Sequence, residues 1–247
     1  NKAETTVYTN PALSPGVLAP ITRIGGGELR VDRALTSPLA IWDAAGKSGS
    51  LSFGFVDGTK TITLTRKLTV RNYSKNTIDL KITNQFRYAN DKANRAVRIG
   101  VPSRLRLLPK QTKTITVTAT IDSRKLNAWT VNGGEGGTST AALDLMEYDG
   151  YISFDRLGTT KDDADPAHVA WQVLPRKAAD VRPVGGTSVT LGGTVGSGPL
   201  AGLPGGSKTL QNVGVNPAAV DVYSLVGTSP NVPAAPRGSN APVIDLK

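Results

Sequence analysis

His168 is the only histidine of the chain, so any triad of serine, histidine and aspartate would have to use it. Asp155 and Asp165 are the carboxylates that could orient its ring. Apolar residues occupy every second position after it, from Val169 to Val173. Such alternation is typical of a strand and places His168 where a loop ends and a strand begins. The sequence therefore favours a packing role for His168 over a catalytic one.

A group of carboxylates at Asp162, Asp163 and Asp165 could offer oxygen ligands to Ca²⁺. Three aspartates lack the full spacing of a calcium loop, which supplies about six to eight oxygen ligands. The alternative is a solvated acidic turn beside Lys161. Both interpretations stay open, and the sequence indicates no cofactor other than this Ca²⁺.

Three tryptophans, Trp42, Trp129 and Trp171, could form a ligand platform, although large aromatic side chains usually contribute to a core. The strand pattern predicts that Trp171 is buried. Trp129 precedes the glycine-rich sequence GGEGG at residues 133–137 and is the tryptophan expected at the surface. No Lys-Ser/Thr pair follows these glycines, which indicates a loop rather than a phosphate site.

Two tyrosines, Tyr148 and Tyr151, flank Asp149 and Gly150, a pair typical of hairpin turns. The sequence therefore predicts a turn at residues 149–150. We expect the two rings to pack across paired strands rather than bind a sugar.

Composition narrows the class of protein. The 247 residues include no cysteine, which excludes disulfides, thiol catalysis and cysteine-bound metals. No run of apolar residues is long enough to predict a transmembrane helix. The net charge of +10 favours acidic surfaces or anionic polymers as partners. Because the basic residues are scattered and aromatics make up 5%, no specific nucleic-acid binding is expected.

The elements that must position these residues are strands. Between residues 51 and 174 the dominant period is two, as in the alternation of Ile62, Leu64, Leu68 and Val70 with threonines. Similar segments lie near residues 78–82, 97–101, 105–107, 115–121, 151–154 and 169–174, separated by turn-forming residues. This spacing predicts an all-β fold of the β-sandwich type.

The segments outside this region have a different character. Residues 1–37 contain three prolines and three successive glycines and form a short α/loop N-terminal arm before the sandwich of residues 38–183. Residues 184–207 are rich in Gly, Ser, Thr and Pro and are expected to be a linker. Residues 208–247 contain two strand-like segments, which predict the start of a further, partial β region.

Several of these sequences resemble secreted bacterial subtilisin-like serine proteases, the subtilase family. NKAETT at residues 1–6 is similar to the segment that follows the catalytic serine, and GGGELRVDRAL at 25–35 to the end of the peptidase domain. SLSFGF at 50–55, LTVRNYS at 68–74, EYDGYI at 147–152 and HVAWQVLPR at 168–176 resemble strands of the fibronectin type III-like accessory domain. VDVYSLVGTSP at 220–230 is similar to the opening of a further C-terminal region.

The resemblance implies a fibronectin type III-like or immunoglobulin-like sandwich in a non-catalytic segment of an extracellular serine endopeptidase, with residues 1–37 as the C-terminal remnant of its peptidase domain. The triad and the oxyanion-hole asparagine would lie upstream of Asn1, so no catalytic, cofactor-binding or metal residue is assigned here, and the natural protein is expected to be longer at both ends. The upstream peptidase segment would be the partner, with a protein substrate or cell-surface polymer left open. The alternatives are a self-standing adhesion or polymer-binding module and a structural surface protein.

The arm carries one further expectation. Residues 1–35 have few apolar side chains and cannot bury a core of their own. If they finish a peptidase domain, as the resemblance implies, they should depend on that other segment for their order.

Overall fold

The computed structural model describes residues 3, 5–10, 12, 14–130, 145–158, 167–188, 202 and 206–220. Strands dominate them and form two facing sheets, which confirms the predicted all-β sandwich. In chain order the strands are β1 (Tyr8–Asn10), β2 (Ser14–Leu18), β3 (Leu39–Asp43), β4 (Ser50–Gly58), β5 (Ile62–Asn72), β6 (Ile78–Phe86), β7 (Val97–Gly100), β8 (Arg104–Leu107), β9 (Thr112–Ile121), β10 (Tyr148–Arg156), β11 (Ala167–Lys177), β12 (Val181–Pro183) and β13 (Leu210–Asn212).

Short helices connect some of these strands: α1 (Ile21–Ile24), α2 (Val31–Thr36) and α3 (Ala89–Asn94), with one 3-10 turn at Ser123–Lys125. Asn90 and Asp91, one of the turn-forming pairs between the predicted strands, lie within α3. Across the described ranges, no helix has the length and apolar character needed to span a membrane.

The sandwich consists of a five-stranded sheet in the order β4-β11-β10-β6-β8 and a four-stranded sheet in the order β3-β5-β9-β7. Neighbouring strands are antiparallel except β4 and β11, which run parallel. The segments predicted from alternation are present as β5 to β11. In β5 to β9 the period of two arises because each strand has one face in the core and one outside it.

The core lies between the two sheets. In β9, Ile115, Val117 and Ala119 are buried, whereas the threonines between them lie on the opposite face. The largest fully buried side chain is Trp171, whose indole meets the Phe86 ring edge-on with centroids 5.3 Å apart. These side chains supply the apolar burial that stabilises the sandwich.

The strands β10 and β11 differ from the others because both of their faces are covered. Their outer face carries the described residues of the range 5–26, named here the docked arm, which contains β1, β2 and α1. Ile21 is buried there against Tyr151 and Ala170. The docked arm thus adds a third layer over the centre of the five-stranded sheet.

The last described strands form a separate hairpin. Strand β12 lies within the range predicted for the sandwich, but it pairs with β13, which lies beyond the predicted linker. Asn212 Oδ1 accepts hydrogen bonds from Asp180 N and Gly214 N, both at 3.0 Å. Residues 181–183 therefore pair with the region after the linker rather than with the sandwich sheets. Most of the linker and all of residues 221–247 lie outside the described residues.

Candidate functional site

Buried polar side chains gather where the docked arm meets the five-stranded sheet. Asp149 is fully buried in β10, and its Oδ2 accepts a hydrogen bond of 2.6 Å from Ile21 N. Glu147 Oε2 accepts one of 2.8 Å from Thr22 Oγ1. The first N–H groups of a helix have no partner within it, so a carboxylate at that position stabilises the helix start. Two carboxylates of the sandwich thus hold the beginning of α1.

A third carboxyl group, that of Asp91 in α3, lies close to these two and is 4% exposed. Its Oδ2 has no hydrogen-bond partner among the described residues. Burial, and to a lesser extent the negative charges of Asp149 and Glu147, raise the pKa of Asp91 to about 8. At neutral pH the folded chain therefore holds Asp91 largely protonated, which limits repulsion within the group.

The phenol of Tyr148 lies beside this group, on the core side of β10. Its oxygen accepts a hydrogen bond of 2.8 Å from Asn94 Nδ2. Burial and the charge of Asp91 raise the pKa of Tyr148, and the Asn94 bond opposes this shift. Tyr148 is consequently a neutral structural group rather than an acid or base at physiological pH.

Arg87, directly after β6, is the main cation of the contact. Its guanidinium donates hydrogen bonds to the carbonyl oxygens of Ala19, Thr5 and Val7 and to the Tyr151 hydroxyl. Burial raises the pKa of Tyr151, and the positive charge of Arg87 opposes that shift. A cleft of about 410 Å³ opens beside these two side chains. Because its donors are already directed at the docked arm, Arg87 positions that arm rather than presenting an open anion site.

His168 is part of the same contact. It is the second residue of β11, which confirms its predicted place at the start of a strand. Its Nε2 lies 2.9 Å from Gly26 O, and its ring meets the Tyr151 ring edge-on at 5.0 Å. These contacts assign His168 a packing role at the end of the docked arm.

The docked arm corrects the expectation that residues 1–35 need another segment for their order. That expectation is wrong for residues 19–26, because Asp149, Arg87 and His168 bind them to the sandwich. The reason is that the outer face of β10 and β11 offers polar partners in Asp149 and His168, beside the small apolar cluster in which Ile21 is buried. For the residues of α2, which are exposed, the expectation stays a prediction.

Of the other carboxylates considered as sites, the structure describes Asp155 alone. Asp155 lies in β10 two residues beyond Ser153, the residue opposite His168. Asp162, Asp163 and Asp165, the candidates for Ca²⁺, lie outside the described residues, as does the glycine-rich stretch at 133–137. In the part of the chain that the structure describes, no three His, Asp or Glu side chains are grouped to hold a metal ion.

The tryptophans occupy three environments. Trp171 is buried in the core and Trp129 lies partly exposed at the surface, and both placements confirm the predictions. Trp129 packs edge-on against Phe55 at 5.9 Å, and the Arg176 guanidinium lies over both rings. Trp42 is half-buried on β3.

The predicted turn at residues 149–150 is wrong, because both residues lie inside β10. Tyr148 and Tyr151 point to opposite faces of this strand, the first into the core and the second toward the docked arm. A Cβ atom at Gly150 would lie 2.0 Å from Gln85 O of the neighbouring strand. Glycine is therefore required by the close approach of two backbones and not by a turn.

Sequence reasoning missed Arg87, Asp91, Glu147 and Asp149 as parts of one contact. A usable signal is present at residues 146–154, MEYDGYISF, where Glu147 directly precedes β10 and Asp149 follows two positions later, among mainly apolar residues. Carboxylates on one face of a strand with both faces buried need donors from another element. No local pattern identifies α1 as that element.

Comparisons with known proteins give no family. No family model matches the chain, and no curated protein matches it. Among solved structures, a FixG-related protein from Vibrio parahaemolyticus is similar over 57% of this chain and 98% of its own, at 11% identity and a TM-score of 0.33. A PapD-like domain of human CEP192 is similar over 56% of this chain and 84% of its own, at 12% identity and a TM-score of 0.30. The exo-chitosanase CsxA of Amycolatopsis orientalis is similar over 70% of this chain and 15% of its own, at 16% identity and a TM-score of 0.33. The sandwich assignment therefore rests on the strand pairing of this chain itself.

Proposed function

We propose that this chain is a non-catalytic accessory segment of an extracellular subtilisin-like serine endopeptidase, in which the sandwich braces a peptidase segment. The support in sequence is the motif GGGELRVDRAL at residues 25–35. Proteolysis would belong to the other segment, through a serine activated by histidine and aspartate. The residues of this chain would position that segment and perform no chemical step.

One structural observation carries the proposal. The glycine end of the motif is attached to the sandwich through Gly26 and His168, whereas its apolar side chains remain exposed. The exposed fractions are 75% for Leu29, 54% for Val31 and 82% for Leu35. Exposed apolar residues on a short helix and on the segment just before it are typical of a contact surface. The resemblance to subtilases indicates the peptidase segment as the partner of this surface.

The first test is the composition of the natural precursor. Mass spectrometry of the native material should detect peptides from upstream of Asn1 that include a Gly-Thr-Ser sequence. A precursor that encodes no peptidase segment would refute the proposal.

A second test addresses the contact itself, by co-purification of this chain with the upstream segment. Leu29→Asp and Leu35→Asp together should weaken the complex, because they place two charges in an apolar interface. Leu108→Asp is the matched control, since Leu108 is 52% exposed and lies after β8, away from the motif. Equal retention of the complex by both variants would contradict the proposed contact.

A further inference from the structure

The outer face of the four-stranded sheet carries an ordered set of threonines. They occupy the outward positions of the two central strands, β5 and β9. This surface is named here the threonine face, and its threonines are Thr63, Thr65, Thr69, Thr112, Thr114, Thr116, Thr118 and Thr120.

The strand register places these side chains in rows. Thr63 lies opposite Thr120, Thr65 opposite Thr118, and Thr69 opposite Thr114. Neighbouring strands are about 4.8 Å apart and successive outward positions about 6.7 Å apart, so the face extends for roughly 27 Å along the strands. None of these hydroxyls makes a hydrogen bond to another described residue. The face therefore offers a regular array of donors, acceptors and methyl groups to solvent.

The charges on this face have one sign. Lys67 and Arg71 of β5 and Arg98 of β7 point outward and are exposed. None of them has an ion-pair partner within the described ranges, although Arg71 lies over the Tyr73 ring at 4.8 Å. The described outward positions of β3, β5, β7 and β9 include no carboxylate.

Threonine is common at exposed strand positions, so the hydroxyl rows alone would indicate only a stable sheet. The cations indicate a binding role in addition, because three unpaired positive charges without a neighbouring carboxylate create a positive electrostatic potential that favours an anionic ligand. The ligand must also satisfy many hydroxyl groups spread over an extended flat surface.

We propose that the threonine face binds an acidic polysaccharide, with Lys67, Arg71 and Arg98 contacting its carboxylates and the threonines its hydroxyls. A polyhydroxyl chain bearing separated anionic groups matches hydroxyl rows interrupted by single cations. Nucleic acid fits less well, since its denser charge requires clustered Lys and Arg, and its bases require aromatic rings for stacking. Trp42 is the one aromatic side chain at the described outward positions of the four strands. The inference does not depend on the protease proposal.

The test measures binding of the full chain to polygalacturonate, to neutral dextran and to duplex DNA by biolayer interferometry. The expected result is binding to polygalacturonate with little binding to dextran or DNA. Replacing Lys67, Arg71 and Arg98 by Gln should weaken that binding about tenfold, the sum of three exposed charge contacts. Lys81→Gln, Arg104→Gln and Arg106→Gln form the matched control, because they remove the same charge from β6 and β8 of the other sheet.

A second variant separates recognition from charge. Thr65→Val, Thr116→Val and Thr118→Val keep the shape and β-propensity of the face and its charge but remove three hydroxyls. Several-fold weaker binding, at an unchanged melting temperature, supports direct contact. Equal losses in both charge variants, preference for DNA, or undiminished binding by the valine variant would each overturn the inference.

Discussion

At the scale of single residues, the ionisation of the Asp91 carboxyl group is strongly coupled to folding. Its pKa is about 8 in the folded chain, because it is buried beside Asp149 and Glu147, against an ordinary value of 3.8. A folded state that holds a proton which the unfolded chain releases loses stability as the pH rises between these two values. Above the folded pKa the loss is complete and stays constant.

Asp91→Asn should therefore gain stability relative to the natural chain as the pH rises from about 4 to about 8, by up to about 1.4 kcal/mol per pH unit. Asn keeps the shape of the protonated acid and cannot ionise. Urea unfolding at several pH values measures the difference between the two proteins, so that the titration of other groups cancels. A difference that is independent of pH would show that Asp91 is ionised in the folded chain.

Trp171 is the residue on which core packing depends most, since it is the largest fully buried side chain. Trp171→Ala should reduce the free energy of unfolding by about 3 to 5 kcal/mol, the usual effect of emptying a large aromatic site. Trp42→Ala, at a half-buried position, is the control and should have a smaller effect. A melting temperature unchanged by Trp171→Ala would exclude the core placement.

At the scale of elements, the docked arm is held mainly through polar contacts of residues at the ends of strands. Arg87 follows β6 and donates hydrogen bonds to three carbonyl groups of the arm, while Asp149 in β10 accepts a hydrogen bond from Ile21 N. Buried apolar area at this contact is small, with Ile21 as its main contributor. Loss of one multidentate cation should therefore release the arm without unfolding the sandwich.

Arg87→Met should speed amide exchange at Ala19, Ile21 and Gly25 by roughly thirtyfold, which corresponds to about 2 kcal/mol of lost hydrogen bonding to a charged group. Amides of β5 and β9 should keep their protection. Arg98→Met is the matched control, because Arg98 is exposed on the other sheet. Identical exchange of the arm in both variants would mean that Arg87 does not hold it.

At the scale of the whole molecule, the described residues form a sandwich with a third layer and a further two-stranded sheet, and the buried polar side chains of Glu147, Asp149 and His168 lie at the contact between sandwich and third layer. His168 is engaged with Gly26 and Tyr151 in that contact. The pure chain should accordingly hydrolyse neither peptide nor ester substrates. Turnover by the pure chain that a serine-directed inhibitor abolishes would contradict this expectation.

The sequence alone determined strands β5 to β11 of the sandwich, because alternation such as that of Thr114 to Ala119 shows which side of a strand is buried. It also placed Trp171 in the core. Only the tertiary structure decided that α1 covers β10, since Ile21 and Asp149 are 128 residues apart and nothing local specifies their pairing. The same holds for Gly150, whose role depends on the backbone of a different strand. Burial of one strand face produces a regular alternation of apolar residues in the sequence. Which element covers that face depends on long-range packing, and no local pattern specifies it.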